Sequence, residues 1–419
     1  MSDSAAQRRS ETRRSSFRSI FFWLHLCAGV AAGVVIFVMA VTGALLAYEQ
    51  RIVNAVDARH RSDVAGAESP RSLETVAASA LEIVGGEAAL DIEVKADPAE
   101  PVTARVGRER VLFLDARSGR MLGEGSQTIR QVFAAITGIH RWLGASGEHR
   151  QTARAATGAA NLAFLVLVLS GLYLWLPRRW TFRQVRNVAW FRRGLSGKAR
   201  DFNWHNTIGL WTALPLVVIV ASGVVMSYRW ANDLVYRVSG DEPPAPRERS
   251  REPRAPGDRR GEHSEATRAD LEGLDELLAV AERQVPAWQT IGLRLPLPAE
   301  GPVELRIAWG PRGRPDQRGQ LAVDRASGAV TSWKTLSDES TGRRARSWLR
   351  WLHTGEAGGF LGETLAGIAS AGAAVLVWTG LFLAWRRFFP RRRPRGAEAA
   401  KRASEPASIE SDPLSELQD

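Results

Sequence analysis

The chain of 419 residues has almost no cysteine and no glycine motif for binding nucleotides. Its one cysteine, Cys27, excludes an intrachain disulfide, and the sequence has no Cys-x-x-Cys-His motif for covalent haem attachment. Iron–sulfur clusters and zinc sites built from cysteines are excluded for the same reason. Neither GxGxxG nor GxxxxGKS/T occurs, so the sequence shows no obvious nucleotide-binding fold.

Charge is missing from four long apolar stretches, at 21–48, 155–176, 204–228 and 361–385. Each reaches the roughly 20 residues that a helix needs to cross a bilayer, which predicts four transmembrane helices and excludes a purely soluble protein. The segments between them have an ordinary globular composition, which excludes a pore made only of helices. A cleaved signal peptide is the alternative for the first stretch, but that stretch is too long and lacks a clean cleavage site.

The arginines are distributed unevenly around these stretches. They are concentrated before the first stretch, in the short loop between the second and third, and after the fourth. The positive-inside rule therefore predicts that these three segments and both termini are cytoplasmic, and that the two long segments project outward. The net charge of +11 follows from this topology, so no nucleic-acid partner is predicted.

This topology divides the chain into spans, outward domains and basic segments. The second outward domain contains an insert rich in Arg, Glu and Pro at 240–268, which is predicted to be disordered. The predicted boundaries are a basic N-terminus (1–20), the first span (21–48), the first outer domain (49–139), a histidine segment with the second span (140–176), a basic loop (177–203), the third span (204–228), the second outer domain (229–347), a histidine segment with the fourth span (348–385) and a basic, disordered tail (386–419).

The two halves of the chain repeat each other. Each outward segment contains an amphipathic helix, at 71–84 and 267–284, and a strand–turn pattern, at 111–119 and 320–328, which predicts a small α+β domain. The predicted fold is therefore a membrane α-helical bundle of four long helices, with a parallel internal repeat and two outer α+β domains. The positions repeated at equal spacing are His25, Gly29, Gly43 and Tyr48 in one half, and His205, Gly209, Gly223 and Tyr228 in the other.

Four histidines are the candidate metal ligands. His25 and His205 lie at the cytoplasmic ends of the first and third stretches, whereas His140 and His353 precede the second and fourth stretches on the outer side. Two histidines from different helices at one membrane depth are what a b-type haem with two axial imidazoles requires. The pattern predicts two such pairs, with a zinc or copper ion or a proton relay as alternatives. His149 is the nearest rival to His140, but its charged neighbours indicate a loop.

The repeated glycines are candidate cofactor-binding positions. An 18-residue spacing is five helical turns, so Gly43 shares a helix face with His25, and Gly223 shares one with His205. Gly29 and Gly209 each follow a histidine by one turn. We expect all four to clear room for a porphyrin. The alternative is that these small residues let neighbouring helices pack closely.

Four short motifs carry a resemblance to a known family. They are Trp23-Leu24-His25, Ile139-His140-Arg141-Trp142-Leu143, Trp204-His205-Asn206 and Leu352-His353-Thr354-Gly355. Their order, together with two outward domains, resembles the PepSY-associated transmembrane family across roughly residues 15–390. Members of that family include iron-regulated inner-membrane proteins and ferric-siderophore reductases.

The resemblance implies a location and an activity. It implies a multi-pass protein of the bacterial inner membrane with two periplasmic PepSY-like domains and two non-covalent b-type haems. Electrons would pass from a cytoplasmic-side donor to a periplasmic acceptor, with a ferric siderophore as the implied substrate. The chain has no fused flavin reductase domain, so the electron donor is predicted to be a separate cytoplasmic or membrane molecule. No catalytic residue beyond the haem ligands is predicted.

Residues beside the outer histidines are candidates for contacts with substrate. Arg141 and Trp142 follow His140, and Arg350 and Trp351 precede His353. The arginines suit an anionic chelate, a haem propionate or a lipid headgroup equally well. The tryptophans could stack on a substrate or cover the edge of a haem. Anchoring at the membrane interface is the simplest interpretation.

Other functions remain open at the level of the sequence. An electron-transfer subunit for a periplasmic protein would need the same residues as a ferric reductase. A membrane-anchored PepSY binding or peptidase-regulatory module without cofactor would not need the four histidines. A transporter is less favoured, because the stretches carry no charged residue near the midplane.

Overall fold

The computed structural model describes residues 2–58, 72–85, 89–107, 110–176, 181–245, 271–298 and 301–389, with side chains from residue 17 onward. The insert predicted at 240–268 lies outside the described residues from position 246. The predicted tail at 386–419 lies outside them from position 390.

Within this part of the chain, helices and strands alternate in two similar series. In order they are α1 (Ser2–Leu46), α2 (Glu49–Asp57), α3 (Leu73–Val84), β1 (Leu90–Lys95), β2 (Val102–Val106), β3 (Arg110–Leu114), β4 (Met121–Glu124), α4 (Gln127–Trp142), α5 (His149–Trp175), α6 (Phe182–Ala189), α7 (Gly197–Ser227), α8 (Arg229–Val238), α9 (Leu274–Gln284), β5 (Thr290–Leu295), β6 (Val303–Ala308), β7 (Arg318–Val323), β8 (Val330–Thr335), α10 (Thr341–Thr354) and α11 (Gly359–Phe388), with 3-10 turns at Pro315–Gln317, Leu336–Asp338 and Glu356–Gly358.

Four helices are long and apolar enough to cross a membrane: α1, α5, α7 and α11. Only 17% to 39% of their apolar windows are buried within the protein, so most of this apolar surface faces lipid. Helix α1 packs against α5 and α11, and α7 packs against the same two helices, so α1 and α7 occupy one diagonal of a four-helix bundle. The bundle core contains small residues that let the helices approach closely; its buried cluster is Ala40, Leu216, Ala369 and Ala373.

In the part of the chain that the structure describes, the segment between α1 and α5 and the segment between α7 and α11 contribute to one antiparallel sheet of eight strands, in the order β4-β3-β2-β1-β5-β6-β7-β8. The α+β character expected for these segments is confirmed. The sequence analysis did not anticipate that β1 pairs with β5, from Leu90 opposite Leu295 to Lys95 opposite Thr290. This junction joins the strands of the two segments into a single sheet.

Helices α3 and α9 pack with the sheet and lock together at their N-termini. The carboxylate of Asp275 at the start of α9 accepts hydrogen bonds from the Ser72 hydroxyl, at 2.9 Å, and from the Leu73 N–H at the start of α3. In return, the Glu74 carboxylate accepts from the Gly273 N–H at 2.8 Å. Each helix thus supplies an acid to the unpaired N–H groups of the other, which stabilises the shared sheet.

The two edge strands of the sheet lead into the helices that carry the outer histidines. Strand β4 is followed by α4, and β8 is followed by α10 after one 3-10 turn. Side chains brace the first turn of each helix: Asp57 forms an ion pair with Arg130 of α4, and the Asp241 carboxylate accepts from the Gly342 N–H of α10. Both helices then reverse into a spanning helix. The reversal after α10 uses Gly355, whose positive φ suits glycine.

Candidate functional site

Two histidines face each other at one end of the bundle. We call the end that carries the sheet the sheet side, and the end that carries the α5–α7 connection the loop side. His25 on α1 and His205 on α7 form the loop-side pair, with ring centroids 6.3 Å apart and ring planes at 84°. Because α1 and α7 lie on a diagonal of the bundle, the two rings meet across its interior.

The sheet-side pair is built differently. His140 lies near the end of α4 and His353 near the end of α10, and the two are close enough to interact electrostatically. Neither helix spans the membrane. Their rings rest on α1 and α7 respectively, so this pair also faces across the diagonal of the bundle. The structure therefore brings together the four predicted histidines as two pairs.

Every one of these histidines is held by a hydroxyl through its Nδ1 atom. The hydroxyl belongs to a serine or threonine on a spanning helix, and that helix lies in the same half of the chain as the histidine. The four contacts are His25 to Ser170 at 2.9 Å, His205 to Thr379 at 3.0 Å, His140 to Thr42 at 2.9 Å and His353 to Ser222 at 3.1 Å.

The hydroxyl protons point away from the rings. Each hydroxyl donates to the carbonyl four residues earlier in its own helix, at 2.6 to 2.8 Å. A hydroxyl has one proton, so its oxygen is left to accept the Nδ1–H of the histidine. The Nδ1 atom of His353 also lies 2.8 Å from the Ile219 carbonyl, which can only accept. This tautomer leaves the lone pair on Nε2, the nitrogen available to a metal.

A glycine follows each of these hydroxyl residues and contacts the same imidazole. A methyl group added to any of the four glycines would lie 3.3 Å from the Cε1 atom of the adjacent histidine, closer than ordinary van der Waals contact. The pairs are Gly171 with His25, Gly380 with His205, Gly43 with His140 and Gly223 with His353.

The Ser/Thr-Gly dipeptides were not predicted as a group of functional residues, although they are visible in the sequence. Every spanning helix carries one that contacts a histidine: Thr42-Gly43, Ser170-Gly171, Ser222-Gly223 and Thr379-Gly380. Helix α5 carries a second such dipeptide, Thr157-Gly158, whose hydroxyl donates to the Arg141 carbonyl instead. Two of these glycines, Gly43 and Gly223, were predicted as cofactor positions, and the structure places both against sheet-side histidines. The other two predicted glycines lie elsewhere. A methyl group at Gly29 would meet Leu167 at 3.7 Å and one at Gly209 would meet Leu376 at 3.6 Å, both helix-packing contacts.

The donor set fits haem better than a metal held by protein alone. In the part of the chain that the structure describes, no group of three or more His, Cys, Asp or Glu side chains could hold a metal ion. Two imidazoles suit iron that brings four porphyrin nitrogens of its own. Two imidazoles that bind one iron have ring centres about 6 Å apart. This distance is the sum of two nitrogen–metal bonds of about 2 Å and about 1 Å from each nitrogen to its ring centre. The loop-side separation of 6.3 Å matches this sum.

The Nε2 atoms are open to a ligand. Among the described residues, only the Nδ1 atom of each of the four rings makes a hydrogen bond. His149, the rival candidate, is exposed at the start of α5.

The predicted substrate contacts lie in cation–π stacks beside the sheet-side pair. The guanidinium of Arg141 lies 4.6 Å from the ring centre of Trp142, and that of Arg350 lies 5.0 Å from the buried Trp351. Arg318 stacks on the same Trp351 ring at 5.1 Å. These stacks fix the orientation of the four predicted residues.

Charged side chains surround the start of α11 next to this pair. Arg312 bonds to Glu356 at 2.6 Å, and Arg51 forms an ion pair with Glu363. Burial raises the pKa of the Glu49 carboxyl, and Glu356 adds to that effect while Arg312 opposes it. Burial also lowers the pKa of Arg318.

Basic residues lie at the loop side as well. Arg18 donates to the carbonyl of Leu176 at 3.1 Å, and Arg387 stacks on the rings of Phe22 and Trp23. Arg386 forms an ion pair of 3.0 Å with the buried Asp201. These contacts tie the ends of α1, α5, α7 and α11 together close to the loop-side histidines.

These features define a class: a multi-pass membrane protein whose four apolar helices enclose paired histidines and carry an α+β part on one side. The particular family follows from the sequence comparison. The family model of the PepSY-associated TM region matches residues 22–387, so the chain belongs to this family. A comparison with curated proteins found no match.

Proposed function

We propose that the protein is an inner-membrane di-haem b oxidoreductase that passes electrons from a cytoplasmic-side donor to a periplasmic acceptor. The observation that carries the proposal is the geometry of the histidine pairs. At the loop side the His25 and His205 rings face each other across the bundle. At the sheet side the His140 and His353 rings rest on the diagonal helices α1 and α7, and all four Nδ1 atoms are hydrogen-bonded. His25 and His205 would hold one haem, and His140 and His353 the other.

The spacing of the two pairs supports a path across the bilayer. His25 and Thr42, the partner of His140, both lie on α1, and the helix rise of 1.5 Å per residue separates them by about 26 Å. That distance is close to the roughly 30 Å of the hydrocarbon core. A haem at each pair would divide the insulating barrier into two shorter steps, and its iron would supply the one-electron chemistry.

The proposed orientation follows the arginines. The basic N-terminus, the α5–α7 connection and the basic segment after α11 lie on the cytoplasmic side, and the sheet is periplasmic. Equivalent contacts in the two halves, such as His25 on Ser170 and His205 on Thr379, support a parallel internal repeat. The electron donor is a separate molecule that acts at the loop side.

The proposed acceptor is a ferric siderophore at the sheet side. One electron converts bound Fe(III) to Fe(II), and the hard oxygen ligands of the chelator hold the reduced ion more weakly. Arg141, Arg350 and Arg318 give this side positive charge suited to an anionic chelate. A periplasmic electron-transfer protein is the alternative acceptor for the same two haems.

A haem assay on detergent-purified protein tests the proposal. We expect a pyridine haemochrome yield of two b haems per chain and dithionite-reduced minus oxidised bands of b type. His205→Ala and His353→Ala are each expected to lose one haem, because each removes one of the two histidines that would hold it. His149→Ala is the control and is expected to keep both. A haem-free wild type from haem-replete cells would contradict the proposal and favour a PepSY binding module.

A further inference from the structure

We propose that the four Ser/Thr-Gly dipeptides are positioning residues for the imidazole ligands, one dipeptide for each histidine. The inference rests on the proposed function, since it assigns a role in holding haem. The hydroxyl fixes the tautomer and aims Nε2 into the bundle, and the glycine lets the ring lie against the helix backbone.

The hydrogen-bond chain has one direction at all four sites. The helix carbonyl accepts a hydrogen bond from the hydroxyl, and the hydroxyl oxygen accepts one from the Nδ1–H of the histidine. Partners of this kind orient a ligating histidine and raise its basicity, and their loss typically costs 10–100-fold in metal affinity. Here the partner is a helix-bound hydroxyl in a low-dielectric bundle, where a neutral acceptor is cheaper to bury than a carboxylate.

The four sites share a side-chain hydroxyl, and only two of them have the additional methyl group of threonine. Ser170 holds His25, whereas Thr379 holds the equivalent His205 in the other half of the chain. The sheet-side pair shows the reverse assignment, with Thr42 in the first half and Ser222 in the second. Exchange of serine and threonine is therefore expected to preserve the function at each site.

The glycine sets how closely the ring approaches. A methyl group at Gly380 would lie 3.3 Å from Cε1 of His205, so the imidazole would have to shift by a few tenths of an ångström. Cε1 is bonded to both ring nitrogens, so such a shift moves Nε2 as well. Gly209, one turn after His205, offers a matched comparison because its methyl group would meet only Leu376 at an ordinary 3.6 Å.

The test compares Thr379→Val with Thr379→Ser in the full-length, haem-loaded protein. Valine keeps the shape of threonine but cannot accept the Nδ1–H, so the loop-side haem is expected to transfer to apomyoglobin 10–100-fold faster. Its midpoint potential is expected to rise, because a less basic imidazole stabilises ferric iron less. Thr379→Ser is expected to restore both values. The sheet-side haem is an internal control.

Thr212→Val is the matched control variant. Thr212 is a buried threonine of α7 whose hydroxyl also donates to the carbonyl four residues earlier, at 2.7 Å, but holds no histidine. We expect Thr212→Val to leave the rate of haem transfer and the midpoint potential unchanged. If Thr379→Val also leaves both unchanged, the positioning role is overturned while the di-haem proposal stands. A haem-free wild type would overturn both.

Gly380→Ala and Gly209→Ala test the second half of the dipeptide. We expect Gly380→Ala to alter the EPR signal of the loop-side ferric haem, because it displaces the His205 ring, and Gly209→Ala to leave that signal unchanged. Equal effects of the two alanines would show that only general helix packing is disturbed, which would contradict the role of the glycine.

Discussion

The loop-side and sheet-side histidine pairs have the same local contacts but different mechanical support. His25 and His205 belong to the membrane-spanning helices α1 and α7. His140 and His353 belong to α4 and α10, which start where the edge strands of the sheet end. The loop-side pair therefore depends on the bundle alone, whereas the sheet-side pair depends on the bundle and on the sheet.

Under the proposed function, the two histidine pairs would have different roles. A redox centre held by the bundle has a fixed environment near the electron donor. A centre whose ligands are attached to the sheet responds to whatever binds or strains the sheet. The bracing contacts of α4 and α10 are the places where this coupling can be broken by mutation.

The largest effect is expected from the buried ion pair at the start of α4. Asp57→Ala leaves Arg130 buried without its carboxylate and removes the acceptor of the Ser126 N–H, which should cost about 3 kcal/mol of unfolding free energy. Since α4 carries His140, we expect faster loss of the sheet-side haem and an unchanged loop-side haem, measured by haem transfer and redox titration.

Glu100→Ala provides the control for this variant. Glu100 pairs with Lys95 at 2.6 Å, but both side chains are more than 30% exposed, so the pair should contribute less than about 1 kcal/mol. Equal loss of both haems in Asp57→Ala would show that the two pairs do not differ in their dependence on the sheet.

A smaller effect is expected where the two halves of the sheet are joined. Asp275→Ala removes the acceptor for the Ser72 hydroxyl and the Leu73 N–H, which should cost about 1 kcal/mol, as for other lost helix caps. Thermal unfolding of the sheet, followed by far-UV circular dichroism, should begin at a lower temperature while the loop-side haem spectrum persists. Glu276→Ala, in the same helix turn, is the control, and a drop of equal size there would refute the capping role.

The smallest effect concerns acid. Burial would raise the pKa of Asp115, but hydrogen bonds from Ser118 and Arg117 outweigh it and hold that pKa below 3.8. Hydrogen bonds from Ser327 likewise lower the pKa of Asp324. A carboxyl whose pKa is lower in the folded state stabilises the protein above the unfolded-state value, and this stability is lost as the pH falls through the folded-state pKa.

The sheet should therefore lose stability below about pH 4, the range in which free aspartate protonates. Asp115→Asn should flatten this acid dependence in near-UV circular dichroism, since asparagine does not titrate. An acid profile identical to that of the wild type would exclude Asp115 as its source.

Much of the architecture could be predicted from the sequence because it depends on local patterns. Charge-free stretches of spanning length correspond to α1, α5, α7 and α11, and the amphipathic pattern at 71–84 corresponds to α3. The depths of the four histidines predict two pairs, and the ring centres of His25 and His205 lie 6.3 Å apart. Depth in a membrane is a nearly one-dimensional property, so sequence position determines it closely.

What could not be predicted depends on contacts across long sequence separations. The pairing of β1 with β5 joins strands from different halves of the chain, and no local pattern in Leu90–Lys95 specifies that partner. The role of Ser170 and Thr379 required knowing which helices are neighbours. Sequence spacing also did not distinguish Gly29 from Gly43, since both lie about a whole number of turns from His25. In the structure only Gly43 of these two contacts an imidazole, that of His140.

An experimental density map of the purified, haem-replete protein tests the central claim most directly. The account predicts planar density of a porphyrin between His25 and His205 and a second one between His140 and His353, each approached by two Nε2 atoms while Nδ1 stays on its hydroxyl. Side chains or lipid packed directly between the rings of either pair, with no planar density, would contradict it.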